Sequence, residues 1–291
     1  MDASHSPQGA VSLVLPSGSC DCQYHVYGDR QRYPVRHANP LYDAPVAPLP
    51  MASAMHDRLG FERTVIVQAT VYTTDHTLLL DSLARLPTGS ARGVAIIDDS
   101  VSDDELHRLH AAGVRAARFN FQKRLGLVPT PDVFRRSVRR IQEFGWFIKV
   151  FAGPAEMESV APELDRCDVA VVIDHMGHLN FGEGIEQPAM MRLLRLLDRE
   201  DRWLMLSNGH RGSAVGYPWD DAVPFGRRFY EVAPDRCIWG SDWPHIGSRG
   251  NMPDDADLAR LLLRYLPDAT AVRRVLVENP ARLFGFAPRG A

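Results

Sequence analysis

The stretches WFIKVF at residues 146–151 and VAVVID at residues 169–174 decide the fold of this sequence. Both are short apolar runs rich in β-branched or aromatic side chains, which is typical of buried strands. They flank a segment of helical spacing at 155–166, and this order predicts a parallel βαβ unit. The same alternation runs along the chain, with a first strand near 20–26 and further strands TVIVQA at 64–69, GVAII at 93–97, VRAARF at 114–119, WLMLS at 203–207 and CIWGS at 237–241.

Helical patterns fill the intervals between these strands. SDDELHRLHAAG has Ser102 at its start, Glu105 three residues later and Gly113 after its last turn, which is the pattern of a capped helix. PDVFRRSVRRIQEFG opens with Pro131 and closes with Gly145, the preferred arrangement of these two residue types. Further helices are predicted at 73–86, 155–166, 189–200, 220–232, 254–266 and 269–278.

Eight strands that alternate with helices fit either a closed barrel or an open doubly wound sheet. The open sheet normally carries a glycine-rich phosphate loop after its first strand, and this chain has none. We therefore expect an α/β fold, a (β/α)8 TIM barrel, as a single domain over residues 17–291. Residues 1–16 are predicted to form a flexible N-terminal arm. The long loop at 27–50 is a candidate lid or binding loop because plain connections are shorter.

Composition excludes several classes of partner. The 291 residues carry a net charge of −3, which predicts no nucleic-acid partner because phosphate-binding surfaces need a basic surplus. No apolar run is long enough to cross a bilayer, so we expect no membrane partner. We expect reduced thiols and a cytoplasmic location from the four cysteines at positions 20, 22, 167 and 237. The sequence leaves open a monomer or a small homo-oligomer.

Polar residues gather where the predicted strands end, which is where the catalytic groups of such barrels lie. On strand one, strict alternation places Asp21, Gln23 and His25 together on the inside. A single histidine at a strand end is more often structural than catalytic. Titratable groups on strands one, six and eight at one rim favour a functional site instead. The other candidates at strand ends are Thr70, Arg118, Arg124, Asp174, His175, His178, Arg211, Asp242 and His245.

Three motifs give the chain a resemblance to a known family. They are DCQYH at 21–25, IDHMG at 173–177 and IWGSDWPH at 238–245. The sequence resembles the amidohydrolase superfamily, and within it the 2-pyrone-4,6-dicarboxylate lactonase branch, over nearly its whole length. The resemblance implies a TIM-barrel lactonase that acts in the breakdown of aromatic compounds. His178 and Phe151 stand where that branch tends to carry Arg and Tyr, so the resemblance leaves the exact lactone open.

The metal ligands of the superfamily are incomplete here. Its members usually carry His-x-His on strand one, but the first of these positions is Gln23, and the position on strand five is Phe151. His25, His175 and Asp242 remain, and they are the residues that would hold a zinc ion if one binds. Because Gln is a weak ligand and Phe is none, we expect a metal-free site without a cofactor, with zinc as the alternative.

The lactonase resemblance implies a role for each site residue. Asp242 is expected to act as general base on a water molecule that opens the ring ester of a carboxylated lactone. His25 and His175 are expected to donate hydrogen bonds to the carbonyl oxygen, and Gln23 to add one more. The residues expected to bind the small anionic substrate are Arg118, Arg124 and Arg211 as carboxylate clamps, with Thr70, His178 and His245 beside them.

Three other functions stay open at this point. A sugar-acid lactone isomerase would use the same residues, with a substrate hydroxyl attacking in place of water. A zinc-dependent amidohydrolase or lactonase would use the three remaining ligands. A sugar-acid binding protein without activity is disfavoured by Asp242, because a pocket carboxylate with no task is costly to bury.

Overall fold

The computed structural model describes residues 13–37, 45–248 and 252–287. Its centre is an eight-stranded parallel sheet in the order β1 to β8. A bridge between Tyr24 and Trp243 joins the last strand to the first, and the Cys22 amide donates to the Trp239 carbonyl at 2.9 Å. This is the expected single-domain (β/α)8 TIM barrel. Its strands are β1 Cys20–Tyr24, β2 Arg63–Val67, β3 Ala91–Ile96, β4 Val114–Asn120, β5 Phe147–Phe151, β6 Val171–Ile173, β7 Arg202–Met205 and β8 Cys237–Ile238.

Helices surround the sheet. The Ser102 side chain accepts a hydrogen bond from the Glu105 amide, as the sequence predicts, and Thr130 caps the next helix in the same way. The helix that follows β1 escaped the sequence analysis. The helices are α1 Leu49–Leu59, α2 Thr77–Leu83, α3 Asp103–Ala111, α4 Pro131–Gln142, α5 Pro154–Asp165, α6 Pro188–Leu196, α7 Gly209–Gly212, α8 Val223–Val232, α9 Asp255–Tyr265, α10 Ala269–Arg273 and α11 Asn279–Phe284.

The predicted arm and long loop lie partly outside the described residues. Residues 1–12 of the arm are not described, while Leu13 and Leu15 pack against the core. Of the loop at 27–50, residues 38–44 are not described. At its base the Tyr27 amide donates to the Ala47 carbonyl at 2.9 Å, and the loop ends where α1 begins. The amides of residues 36 and 37 both donate to the Val71 carbonyl, so this part of the loop lies against the turn that follows β2.

Strand β1 does not alternate strictly. The register of β1 against β2 shifts between Asp21 and Tyr24. As a result Cys20 and Cys22 both join the apolar cluster inside the barrel, and Gln23 also points inward. Asp21 points outward, where His56 Nε2 of α1 lies 3.0 Å from its carboxylate and Ser241 Oγ donates at 2.6 Å. The expectation that Asp21 shares the inner face was wrong, because an extra residue in a strand reverses the facing of what precedes it.

The C-terminal helix closes the barrel at the amino ends of the strands. Phe284 of α11 is fully buried, and its ring centroid lies 5.0 Å from that of Phe147 on β5. Arg63 and Arg92 bond carbonyls of residues 284–287, which fixes this segment under the sheet. The amino end is thereby filled, and the open end is the carboxyl end of the strands. In the described part of the chain, no helix has the length and apolarity needed to cross a membrane.

Candidate active site

Asp242 lies at the centre of the site, four residues after β8. Its backbone has φ 61°, and its amide donates to the Gln23 carbonyl at 2.8 Å. Asn208 Nδ2 donates to Oδ2 at 2.8 Å, and an Arg211 nitrogen lies 3.8 Å from the same oxygen. The other oxygen, Oδ1, faces His25 Nε2 at 3.5 Å and His175 Nε2 at 3.6 Å. One carboxylate oxygen is therefore anchored, and the other faces two imidazoles.

The outer nitrogens of both imidazoles have fixed partners. His25 Nδ1 lies 2.7 Å from the Val67 carbonyl, to which it donates. His175 Nδ1 lies 2.7 Å from Ser207 Oγ. A hydrogen bond at Nδ1 fixes the orientation of an imidazole ring. Both Nε2 atoms are therefore held toward Asp242.

Gln23 connects these groups to Lys149, a residue that the sequence analysis missed. Lys149 lies on β5 two positions before Phe151, is fully buried, and donates from Nζ to Gln23 Oε1. A lysine ammonium can only donate, so the amide must present its NH2 group to the opposite side. There Nε2 lies 3.0 Å from His175 Nε2 and 3.3 Å from Asp242 Oδ1.

The Lys149 ammonium also balances charge beneath the site. It lies 3.2 Å from Asp174 Oδ1, and Arg118 Nε lies 3.7 Å from the other oxygen of that carboxylate. Burial lowers the pKa of Lys149, while attraction to Asp174 opposes that shift. The signal in the sequence was a lone lysine between apolar residues of a buried strand, because such a charge needs a partner.

Burial and nearby charges shift the pKa values of Asp242, His175 and His178. Burial raises the pKa of the Asp242 carboxyl, but attraction to His175, the hydrogen bond with His25 and attraction to Arg211 outweigh it, so this pKa lies well below its usual range. Burial holds the pKa of His175 well below its usual value, although Asp242 opposes the shift. Burial also lowers the pKa of His178 to about 3. At neutral pH the carboxylate is thus ionised, and these two imidazoles are neutral.

A cavity of about 390 Å³ opens over Asp242. Most predicted substrate-binding residues line it, including all three arginines. The Arg118 guanidinium also stacks on the Phe151 ring at 4.8 Å, and the His178 ring packs edge-on against Phe151 at 4.4 Å. The sequence-predicted residues that line the cavity are His25, Thr70, Arg118, Arg124, His178, Arg211 and Asp242.

Three residues that were assigned a role in catalysis or substrate binding lie outside the cavity wall. Gln23 and His175 lie just beneath it, in contact with Asp242. His245 is buried, and its Nε2 lies 2.8 Å from Asp255 Oδ1. Its amide donates to the Asp242 carbonyl at 2.9 Å, so the structure places His245 where it supports the loop that carries Asp242.

The backbone at this rim is unusual. Positive φ angles occur at His175, His178, Asn208, Asp242 and His245, all after β6, β7 or β8. Non-glycine residues rarely adopt this conformation, and it persists where the surroundings enforce it, often at functional sites. These positive φ angles cluster at the carboxyl ends of the strands, where the candidate catalytic side chains also lie.

The donor set does not fit a zinc ion well. The Nε2 atoms of His25 and His175 both face Asp242 Oδ1, but Lys149 turns the Gln23 NH2 group toward His175 Nε2 and Asp242 Oδ1. An N–H donor occupies lone pairs that a cation needs. Across residues 13–37, 45–248 and 252–287, no group of three or more His, Cys, Asp or Glu side chains is arranged to hold a metal ion.

The chain is similar to three curated enzymes whose names refer to lactones or a pyrone. The chain is 35% identical to a 4-sulfomuconolactone hydrolase of Rhizobium radiobacter, over 94% of this chain and 92% of the relative. It is also 35% identical to a 2-pyrone-4,6-dicarboxylate hydrolase of Comamonas testosteroni, over 93% and 91%. A D-galactarolactone isomerase of Agrobacterium fabrum is 31% identical, over 96% and 95%.

Solved structures and a family model extend the comparison. A crystal structure of an Agrobacterium tumefaciens protein matches with a TM-score of 0.84 and 31% identity, over 96% of this chain and 100% of that one. The amidohydrolase family model matches residues 20–286, which span the whole barrel from β1 to the end of α11. The chain belongs to the amidohydrolase family.

Proposed function

We propose that this protein opens the ring ester of a small lactone that carries at least one carboxylate, with water as the attacking group. The observation that carries the proposal is the ionised Asp242 at the base of a cavity whose wall holds Arg118, Arg124 and Arg211. The relatives named as lactone hydrolases support the same reaction class.

Asp242 Oδ1 is the proposed general base. Water held by this oxygen attacks the lactone carbonyl carbon while its proton passes to the carboxylate, and the carbonyl becomes a tetrahedral oxyanion. When this intermediate collapses, the ring C–O bond breaks and the ring oxygen takes the proton from Asp242. The product is the ring-opened acid, and the carboxylate is regenerated.

The geometry refines the roles of the other residues. His175 Nε2 accepts from the Gln23 amide, so this pair holds Asp242 Oδ1 in position. His25 Nε2 can donate to the oxyanion only while the ring carries protons on both nitrogens, because Nδ1 faces the Val67 carbonyl. We propose that the oxyanion lies at His25 Nε2, which is 3.5 Å from Asp242 Oδ1.

The arginines are the proposed carboxylate clamps. Guanidinium groups match carboxylates in bidentate geometry. Arg118 faces the carboxylate of Asp174, and Arg211 faces that of Asp242. Arg124 bonds the Gln122 side chain at 2.9 Å and lies on the cavity wall. We propose that Arg124 binds a substrate carboxylate together with Arg118 and Arg211, which line the same cavity.

Product analysis in oxygen-labelled water tests the proposal. Hydrolysis of a carboxylated lactone places the label in the new carboxylate, and a matched neutral lactone should react at least about tenfold more slowly because it lacks the charge-assisted bonds. Equal rates for the two lactones would contradict the proposal that arginines bind a carboxylate of the substrate. No turnover of any lactone in a broad panel would overturn the hydrolase proposal.

A lactone isomerase is the second candidate, because the relative of Agrobacterium fabrum carries that name at 31% identity. A substrate hydroxyl would then take the place of water over Asp242. The same labelled-water experiment decides between the two, since isomerisation gives a lactone of different ring size without label. We further propose turnover without metal in the cytoplasm, within the degradation of aromatic compounds.

A further inference from the structure

A second cavity lies beside the first at the carboxyl end of the barrel. Its volume is about 360 Å³, close to that of the cavity over Asp242. It is bounded by the ends of β3 and β4, the loop after β2, and the segment that leads into α4. Thr70 and Arg118 line both cavities, so the two are neighbours across these side chains.

The two cavities differ in charge. The wall over Asp242 carries three arginines, whereas among the described residues the second wall has no basic side chain besides the shared Arg118. Its two acidic residues are already engaged, since Asp99 pairs with Arg136 at 2.5 Å and Asp98 accepts from the Ser100 amide at 2.8 Å. An anionic group is therefore favoured over Asp242 and disfavoured in the second cavity.

Apart from the Asn120 amide, the remaining wall of the second cavity is apolar or hydroxyl-bearing. Ile97 and Phe119 form buried parts of it, and Leu127 and Val128 lie at its edge with 42% and 40% of their surface exposed. Leu127 has φ 58°, a conformation that non-glycine residues rarely adopt without a constraint. Exposed large apolar residues beside a cavity mark a surface that an apolar ligand can cover.

We propose that the second cavity is a subsite for a neutral, apolar substituent of the substrate. The preferred substrate is then amphipathic: its carboxylated lactone ring lies over Asp242, and an alkyl or aryl group on that ring extends past Thr70 and Arg118. The proposal rests on the proposed lactone hydrolysis for its substrate, but the subsite itself is defined by the shape and charge of the wall.

A series of lactones tests the subsite by turnover. The members share one carboxylated ring and carry hydrogen, butyl or phenyl at the same ring position. Wild-type kcat/KM should be at least about tenfold higher for the butyl and phenyl compounds, since each buried methylene favours binding. A preference for the unsubstituted ring would overturn the proposal.

Two variants test whether the preference for lactones with apolar substituents arises in the second cavity. Val128→Asp places a charge at the edge of the second cavity, and Val133→Phe reduces its volume. Each should lower the ratio of kcat/KM for phenyl over unsubstituted lactone by at least about tenfold, as expected when apolar burial is lost. Val14→Asp, at an exposed valine that lines neither cavity, should leave the ratio unchanged. An unchanged ratio in both cavity variants would contradict the subsite.

Binding without turnover separates this proposal from the hydrolase proposal. Calorimetry compares biphenyl-3-carboxylate with benzoate on the wild type and on Val128→Asp. Tighter binding of the biphenyl compound that is lost in the variant supports the subsite even if no lactone reacts. Equal affinity of the two acids for the wild type would overturn the subsite even if lactones are hydrolysed.

Discussion

The two ends of the barrel interior differ sharply in character. At the amino end the inward residues are apolar and closed by Phe284 and Phe286, as in the cluster of Val65, Val94 and Phe147. At the carboxyl end the strands and the loops after them carry buried polar groups, and several of these have no hydrogen-bond partner among the described residues, for example Arg118 Nε and His178 Nε2. An unpaired buried polar atom costs free energy, so the carboxyl end is organised for binding and the amino end for stability.

The largest expected effect is on turnover at the carboxyl end. Asp242→Asn should lower kcat by about 10²–10⁴-fold or more, because the amide cannot accept a proton from water. Folding should be retained, since the variant removes a buried charge and keeps an oxygen for Asn208. Steady-state kinetics and thermal unfolding measure both. Asp132→Asn, at an exposed aspartate of α4, is the matched control. A variant at position 242 that retains more than about a tenth of the wild-type rate would remove Asp242 from the role of base.

The opposite end should respond in stability instead. Phe284→Ala removes a fully buried ring from the closed end and should lower the free energy of unfolding by about 3–5 kcal/mol. The kcat of the remaining folded protein should be unchanged, because Phe284 is remote from the cavity. Denaturant unfolding with activity per folded molecule tests this, and Ile185→Ala at an exposed position serves as control. A proportional loss of kcat would show that the two ends are coupled.

Lys149 lies in the middle of β5, between the apolar amino end and the polar carboxyl end of the barrel interior. Lys149→Met should lower kcat by roughly 10- to 100-fold, below the about 10²–10³-fold cost of deleting an oriented donor, because the Gln23 amide loses its fixed direction. In a Gln23→Met background the same change should cost little, since both variants remove one interaction. A double-mutant cycle on kcat is the measurement. Additive losses would mean that Lys149 acts only on packing or charge balance.

The sequence predicted the barrel well because strand and helix periods are local properties. It placed Asp21 inside because strict alternation cannot anticipate an extra residue in β1, which depends on the pairing with β2. It missed α1, whose segment LPMASAMHDRL follows a long loop and has few strongly apolar residues. From motifs it predicted a catalytic role for Asp242, His25 and His175, and the structure brings these three side chains together. It overlooked Lys149 because only strand ends were searched, and this lysine lies two residues before the end of β5.

The activity should persist to lower pH than an ordinary aspartate base would allow, because it depends on Asp242. Because the pKa of Asp242 lies well below its usual range, the base stays ionised where an ordinary aspartate, with a pKa of about 3.9, would be half protonated. The lowered pKa also stabilises the fold above the unfolded value, and that contribution disappears as the pH falls through the folded value. A profile of kcat/KM from pH 3 to 8 should place any acid limb due to Asp242 below the pH at which an ordinary aspartate titrates. If Asp242→Glu shifts no acid limb, the limb belongs to another group.

The smallest expected effect is that of metal removal, where we expect none. Gln23 directs its NH2 group at two of the atoms that a zinc ion would need, and Lys149 holds it there. Dialysis against a chelator should therefore leave kcat unchanged, and elemental analysis should find less than one equivalent of zinc. Gln23→His provides the contrast, because an imidazole removes the competing N–H groups and adds a nitrogen ligand, so zinc content should rise above that of the wild type. Stoichiometric zinc in the wild type, with activity lost on its removal, would show that the Gln23 amide turns away from His175 and that the carboxyl end is a metal site after all.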